Sequence, residues 1–96
     1  MSNYFGEKIK ELREKKNLLL RQVAAHLEAD TALISKIEKG DRKASKEQAI
    51  KIAEILQTDS SELLTLWIAD KVETAISGEN SLATDAMNIV KRKIKK

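Results

Sequence analysis

The 96-residue sequence contains no cysteine and a single histidine, His26. Without cysteine it has no disulfide, thiolate nucleophile or cysteine-ligated zinc, and any metal site would depend on carboxylates alone. It also lacks a run of about 18 apolar residues that would span a bilayer. Its first seven residues lack the basic and apolar regions of a signal peptide. We therefore expect a reduced, cytoplasmic protein with no membrane contact.

Strand-forming and helix-breaking residues are also scarce. Proline is absent, glycine occurs three times, and tryptophan, tyrosine and phenylalanine occur once each. Hydrophobic residues make up 42% and charged residues 34% of the chain, which is the balance of a globular protein with a small core. This composition predicts an all-α protein.

The net charge of +3 hides a segregation of charge along the chain. Residues 1–58 hold 12 basic and 9 acidic side chains, residues 59–90 hold 1 and 6, and residues 91–96 hold 5 and none. The basic parts are suited to nucleic acid, and the acidic middle belongs to a different surface. For the basic tail, contact with phosphate, contact with an acidic partner and simple solvation remain open.

Apolar residues at helical spacing predict six amphipathic helices. Four are placed at about residues 4–16, 20–27, 31–39 and 60–76, one follows Ser45, and one covers the apolar stripe from Leu82 to Ile94. Asp30 and Ser45 are suited to begin helices, and Asn17 and Gly40 to end them.

Known catalytic motifs are absent from the sequence. The sequence has no glycine-rich phosphate loop, no nucleophile elbow and no histidine–glutamate metal motif. We therefore expect no enzymatic activity and no cofactor.

Two short helices joined by a tight turn, within a basic region, describe a helix-turn-helix. Residues 12–40 resemble the lambda-repressor and Cro type of this motif, the Xre family. The matching residues are Leu12-Arg13, Val23-Ala24, Leu27, Ile34-Ser35, Ile37-Glu38 and Gly40. The resemblance extends over about residues 4–66. It implies a five-helix lambda-repressor-like bundle over residues 1–66 and an extra C-terminal helix within residues 67–96.

The resemblance also implies a role for each matching position. The third helix would lie in the major groove of double-stranded DNA and read bases with Thr31, Ala32, Ser35 and Lys36. Phosphates would be contacted by the backbone near Leu20 and by Arg21, Lys39, Arg42, Lys43 and Lys46. Arg13 and Glu38 would form an ion pair between the first and third helices.

The chain departs from the family pattern at two places. Leu19 and Leu20 stand where the family commonly has Ser or Thr followed by Gln, and Glu28 stands where the turn usually has Gly. We expect backbone amides and Arg21 to replace the missing phosphate contact. A left-handed Glu28 would carry an energetic cost.

Surplus apolar residues in the last two helices predict a homodimer. The expected interface residues are Leu66, Trp67, Val72, Ile76, Met87, Val90 and Ile94. The alternative is that the sixth helix folds back on its own subunit.

The leading functional hypothesis is a sequence-specific transcriptional regulator that binds a two-fold symmetric operator as a dimer. Phage repressors, controllers of restriction-modification operons and antitoxins all fit this size. The alternative is a protein-interaction module, such as the antitoxin of a toxin–antitoxin pair, for which DNA binding is secondary.

Overall fold

A computed structural model describes residues 3–95, and these residues form six α-helices with no strand among them. The helices are α1 (Tyr4–Lys15), α2 (Leu20–His26), α3 (Thr31–Lys39), α4 (Lys46–Leu56), α5 (Ser60–Ile76) and α6 (Asn80–Ile94). The all-helical prediction is confirmed. Within this part of the chain, every helix is too short or too polar to cross a membrane. The predicted basic tail ends at Lys96, which lies outside the described residues.

The helices begin and end at residues whose local chemistry explains the boundary. The Asp30 carboxylate accepts a hydrogen bond from the Leu33 N–H at 2.9 Å, which starts α3. Ser45 and Gln48 bond reciprocally at the start of α4. Gly40 closes α3 with a φ of 83°, a left-handed conformation that suits glycine.

Asp59 begins α5 in a similar way. Its carboxylate accepts hydrogen bonds from both the N–H and the hydroxyl of Ser61, each at 2.9 Å. These bonds favour the ionised form and hold the pKa of Asp59 below its ordinary value. The start of α5 is therefore best capped when this carboxylate is charged.

One hydrophobic core joins α1–α5. Its buried members are Phe5, Ile9, Val23, Ala24, Leu27, Ile34, Ile37, Ala44, Ala49, Ile52, Ala53, Leu56 and Leu63. The helix α5 packs against α1 and α4, while α3 packs against α1 and α2. The core thus holds α3 by one face and leaves its opposite face at the surface.

Leu66 and Trp67 lie on the side of α5 that faces this core. Both are partly buried against it, and the Trp67 indole N–H donates to the Ala44 carbonyl at 2.7 Å. Residues 63, 66 and 67 share one helical face, so these side chains complete the core that Leu63 begins. The bundle covers part of the apolar surface of these two side chains, and their place in a subunit interface stays a prediction.

The helix α6 makes little contact with the other helices among the described residues. It follows the turn at Gly78 and buries Ala83. A groove of about 510 Å³ separates α5 from α6, and its lining residues are Val72, Ala75, Ile76, Ala86, Met87, Val90 and Lys91. Ile94 is 75% exposed and Val90 is 56% exposed. The apolar face of α6 is thus largely accessible in the single chain.

Candidate nucleic-acid interface

The geometry of a helix-turn-helix is set by the residues between α2 and α3. Glu28 has a φ of 56°, which is left-handed, and the Ala29 N–H bonds back to the Ala24 carbonyl at 2.9 Å. This pattern turns the chain sharply after α2, and Asp30 then starts α3. Glu28 therefore adopts the conformation for which the family uses glycine, at the cost of strain in a residue with a Cβ.

The two faces of α3 have opposite surroundings. Ile34, Ile37 and Glu38 are buried against the bundle. Of the predicted base-reading residues, Thr31, Ala32 and Lys36 are exposed, and Ser35 is half-buried. The side chains expected to read bases thus lie mainly on the accessible face, with Ser35 at its edge.

Arg13 and Glu38 form a bidentate ion pair beneath that face. The Arg13 Nε donates to Glu38 Oε2 at 2.7 Å and its Nη2 donates to Oε1 at 3.1 Å. Its Nη1 also donates to the Leu18 carbonyl at 2.9 Å. The hydrogen bonds to Glu38 raise the pKa of Arg13, against a smaller opposing effect of burial. This single guanidinium joins α1, the segment before α2, and α3.

The loop between α3 and α4 places basic side chains beside α3. The N–H groups of Asp41 and Arg42 both bond to the Lys36 carbonyl, at 2.9 and 3.3 Å. An open concavity of about 320 Å³ is lined by Lys36 and Arg42 together with Ala29, Asp30, Ala32 and Leu33. A predicted base-reading lysine and a predicted phosphate-binding arginine therefore share one concave surface.

The remaining predicted phosphate contacts surround this surface. Lys39, Lys43 and Lys46 are exposed at the end of α3, in the following loop and at the start of α4. Arg21 is exposed at the start of α2, whereas the Leu20 side chain packs against the core. The predicted phosphate contact at Leu20 therefore rests on its backbone amide alone.

Gln22 also has a role in this region, one that the sequence did not predict. Its Oε1 accepts a hydrogen bond from the Leu19 N–H at 2.7 Å. This is the half of a capping box that a glutamine three residues into a helix supplies. Gln22 has the spacing of a capping box, three residues after Leu19. The pattern is hard to identify in the sequence because the box usually begins with Ser or Thr and here begins with leucine.

Asn3 and Gly6 also position α3, although no local sequence pattern assigns them a role. The Asn3 Nδ2 donates to the Glu38 carbonyl at 2.8 Å. A Cβ at Gly6 would collide with the Ile37 carbonyl oxygen and the Asn3 amide, so α1 and α3 approach closely there.

Asp70 secures the start of α1 from α5. Its carboxylate accepts hydrogen bonds from the Tyr4 N–H at 2.7 Å and the Phe5 N–H at 3.1 Å. A carboxylate is favourable beside the first amides of a helix. No local pattern identifies this contact, because 65 residues separate Asp70 from Phe5.

Comparison with known proteins identifies the family of this chain. The sequence profile described as helix-turn-helix matches residues 9–63, more than half of the chain. The comparison with curated proteins and the comparison with solved structures each find no match. The matched segment contains α2, α3, the turn between them and the start of α5. The chain therefore belongs to the lambda-repressor (Xre) type helix-turn-helix family of DNA-binding regulators.

Proposed function

We propose that the protein binds a specific, two-fold symmetric DNA operator as a homodimer and regulates transcription from that position. In this proposal α3 lies in the major groove, where base edges present distinguishable donors and acceptors. Thr31, Ala32, Ser35 and Lys36 read bases. The backbone near Leu20 and the side chains of Arg21, Lys39, Arg42, Lys43 and Lys46 bind phosphates.

The observation that carries the proposal is the concave surface shared by Lys36 and Arg42. A helix can enter the major groove only if one face is free along its length, and α3 meets this condition through its exposed Ala32 and Lys36. Arg42 follows α3 directly, at the place where a phosphate backbone would flank the groove. Base reading and backbone contact are thus combined on one surface.

The proposal assigns different roles to the two parts of the chain. Residues 1–66 act as the DNA-binding domain, and residues 67–96 act as the helical extension that joins two subunits. The exposed apolar residues of α5 and α6, among them Val72, Val90 and Ile94, support the second role. Two subunits related by a two-fold axis would present their α3 helices to successive major grooves, about 34 Å apart.

A second candidate function is that of a protein-interaction module such as an antitoxin. The groove between α5 and α6 favours it, because an amphipathic helix of a partner would fill such an apolar channel. In this case DNA binding would be secondary. The two candidate functions differ in whether DNA or a protein partner binds with the higher affinity and specificity.

Selection of bound sequences from a random duplex pool tests the leading proposal. We expect a symmetric consensus, and a strong salt dependence of binding to it. About four to six phosphate contacts per subunit give a dimer a log–log slope of roughly −7 to −11, at about 0.9 per phosphate. A scrambled duplex of equal length serves as the control for sequence specificity. No enriched sequence, or a slope near zero on the best duplex, would exclude this function.

A further inference from the structure

A second, smaller concavity lies next to the loop between α3 and α4. It has a volume of about 50 Å³, and Arg42 and Lys43 of the loop line it together with Trp67, Lys71 and Thr74 of α5. Three cationic side chains thus surround one small depression. Two of them are predicted phosphate contacts, whereas Lys71 lies beyond the segment that matches the helix-turn-helix family.

Contacts between α5 and the loop hold this cluster in place. The Lys71 ammonium lies 3.9 Å from the centre of the Trp67 ring, a cation–π contact. Trp67 is itself bonded to the Ala44 carbonyl at the end of the loop. The Lys43 Nζ lies 3.4 Å from the Thr74 hydroxyl. Lys71 therefore stands at a defined place beside Arg42 and Lys43.

One carboxylate, Asp70, also lines this concavity. Its two oxygens accept the Tyr4 and Phe5 N–H groups, so part of its charge is balanced by the start of α1. The neighbouring Glu73 carboxylate accepts a hydrogen bond from the Tyr4 hydroxyl at 2.6 Å. Both carboxylates thus accept hydrogen bonds from the start of α1.

The two concavities are adjoining parts of one surface, because Arg42 lines both. The cationic side chains follow one another from Lys36 on α3, through Arg42 and Lys43 in the loop, to Lys71 on α5. Lys71 is also the only basic residue among residues 59–90, which otherwise carry six acids. Together with Arg42 and Lys43 it lines the same concavity, and positive side chains gathered on one concave surface attract a phosphate.

We propose that Lys71 binds a phosphate of the DNA backbone, outside the segment whose bases α3 reads. This inference rests on the proposed function and extends the DNA contact surface from the helix-turn-helix onto α5. The ligand chemistry is the phosphodiester of duplex DNA, which the Lys71 ammonium contacts as a point charge. Trp67 serves as the platform that restricts the movement of that ammonium.

The test compares Lys71→Ala with Lys10→Ala on the duplex obtained by selection. Lys10 is an exposed lysine of α1 that lines neither concavity, so it controls for the loss of one positive charge. We expect Lys71→Ala to reduce the magnitude of the log–log salt slope by about 0.9 per subunit. At 0.1 M salt this corresponds to an affinity loss of about eightfold per subunit. Lys71→Arg should retain most of the affinity, and thermal melting should show that all three variants are folded.

Ethylation of individual phosphates locates the contact. In the wild-type protein, ethylation of a phosphate flanking the base-read segment should weaken binding, and this interference should disappear in Lys71→Ala alone. If the wild-type protein binds with the expected salt slope but Lys71→Ala behaves like Lys10→Ala, this inference is wrong and the proposed function stands. If the wild-type protein binds no duplex, both are wrong.

Discussion

Glu38 is a carboxylate that the fold buries, with only 7% of the residue exposed. A buried charge is tolerated when a partner and hydrogen bonds replace the lost water. Arg13 supplies both of the side-chain hydrogen bonds, and its own side chain is 12% exposed. The pair lies under α3, so its loss affects the helix that the proposed function places in DNA.

Removal of one partner of this pair should be costly. We expect Arg13→Ala to lower the free energy of unfolding by about 3 kcal/mol, because the Glu38 carboxylate remains buried without its partner. Arg42→Ala removes an exposed arginine and should change stability by less than about 0.5 kcal/mol. Urea denaturation of the two variants measures the difference.

A double variant separates the effect of an unpaired buried charge from the effect of lost packing. Arg13→Leu combined with Glu38→Leu leaves no unpaired charge and should be more stable than Arg13→Ala. Equal midpoints for Arg13→Ala and Arg42→Ala would show that the ion pair contributes nothing.

The proposed roles of two exposed lysines predict different defects. Lys36→Ala should lose roughly 1 to 3 kcal/mol on the selected duplex and relax the preference for particular bases. Lys43→Ala should weaken binding to selected and scrambled duplexes alike, because a phosphate carries no sequence information. Binding titrations on both duplexes distinguish the variants. Equal losses on both duplexes for Lys36→Ala would mean that its side chain reads no base.

At the scale of elements, the turns rely on left-handed residues that are not glycine. Asn17, Glu28 and Gln57 all have φ values between 54° and 57°. Asparagine visits this region readily, whereas a residue such as glutamate does so at a cost of roughly 1–2 kcal/mol. The turn between α2 and α3 therefore forms because core packing on both sides outweighs the local preference of Glu28.

Relief of that strain should stabilise the protein. We expect Glu28→Gly to raise the free energy of unfolding by about 1 kcal/mol, since glycine adopts this φ without a Cβ clash. Ala25→Gly, at an exposed position within α2, is the control and should lower it by roughly 0.5–1 kcal/mol. Thermal melting of both variants checks the sign. A loss of stability in Glu28→Gly equal to that in Ala25→Gly would show that Glu28 is unstrained.

At the scale of the whole molecule, the packing is uneven. The helices α1–α5 share one core, whereas α6 exposes Leu82, Ile89, Val90 and Ile94 by more than half each. Contiguous apolar surface of this kind usually marks an interface. The proposed dimer would bury it between two copies, which would also double the DNA contacts of the assembly.

A charge placed on that surface should separate the subunits. Val90→Glu changes a residue that is 56% exposed in the single chain, so it should leave the fold intact. In a dimer the same carboxylate would be buried without a partner and would oppose association. Sedimentation equilibrium at micromolar concentration should show a dimer for the wild-type chain and a 10.8 kDa species for the variant.

Leu19→Glu is the matched control for this experiment. Leu19 is 49% exposed and lies before α2, outside the predicted interface, so the dimer should persist in this variant. A wild-type chain that sediments at 10.8 kDa would mean that the apolar face serves another purpose.

The local features of the fold can be predicted from short stretches of sequence. Helix boundaries depend on neighbouring residues, so Asp30, Gly40 and Ser45 indicate where helices begin and end before any packing is known. The spacing of Ile34 and Ile37 likewise determines which face of α3 is buried. The family resemblance has the same origin, because it depends on short motifs within residues 12–40.

Contacts between residues far apart in the sequence depend on how the helices pack. Asp70 reaches the start of α1, and Asn3 reaches the end of α3, across sequence separations of 65 and 35 residues. Trp67 packs against the bundle, where the Ala44 carbonyl accepts a hydrogen bond from its indole N–H. Lys71 lines the same concavity as Arg42 because the path of α5 past the loop is set by packing of the whole core, which no local pattern encodes.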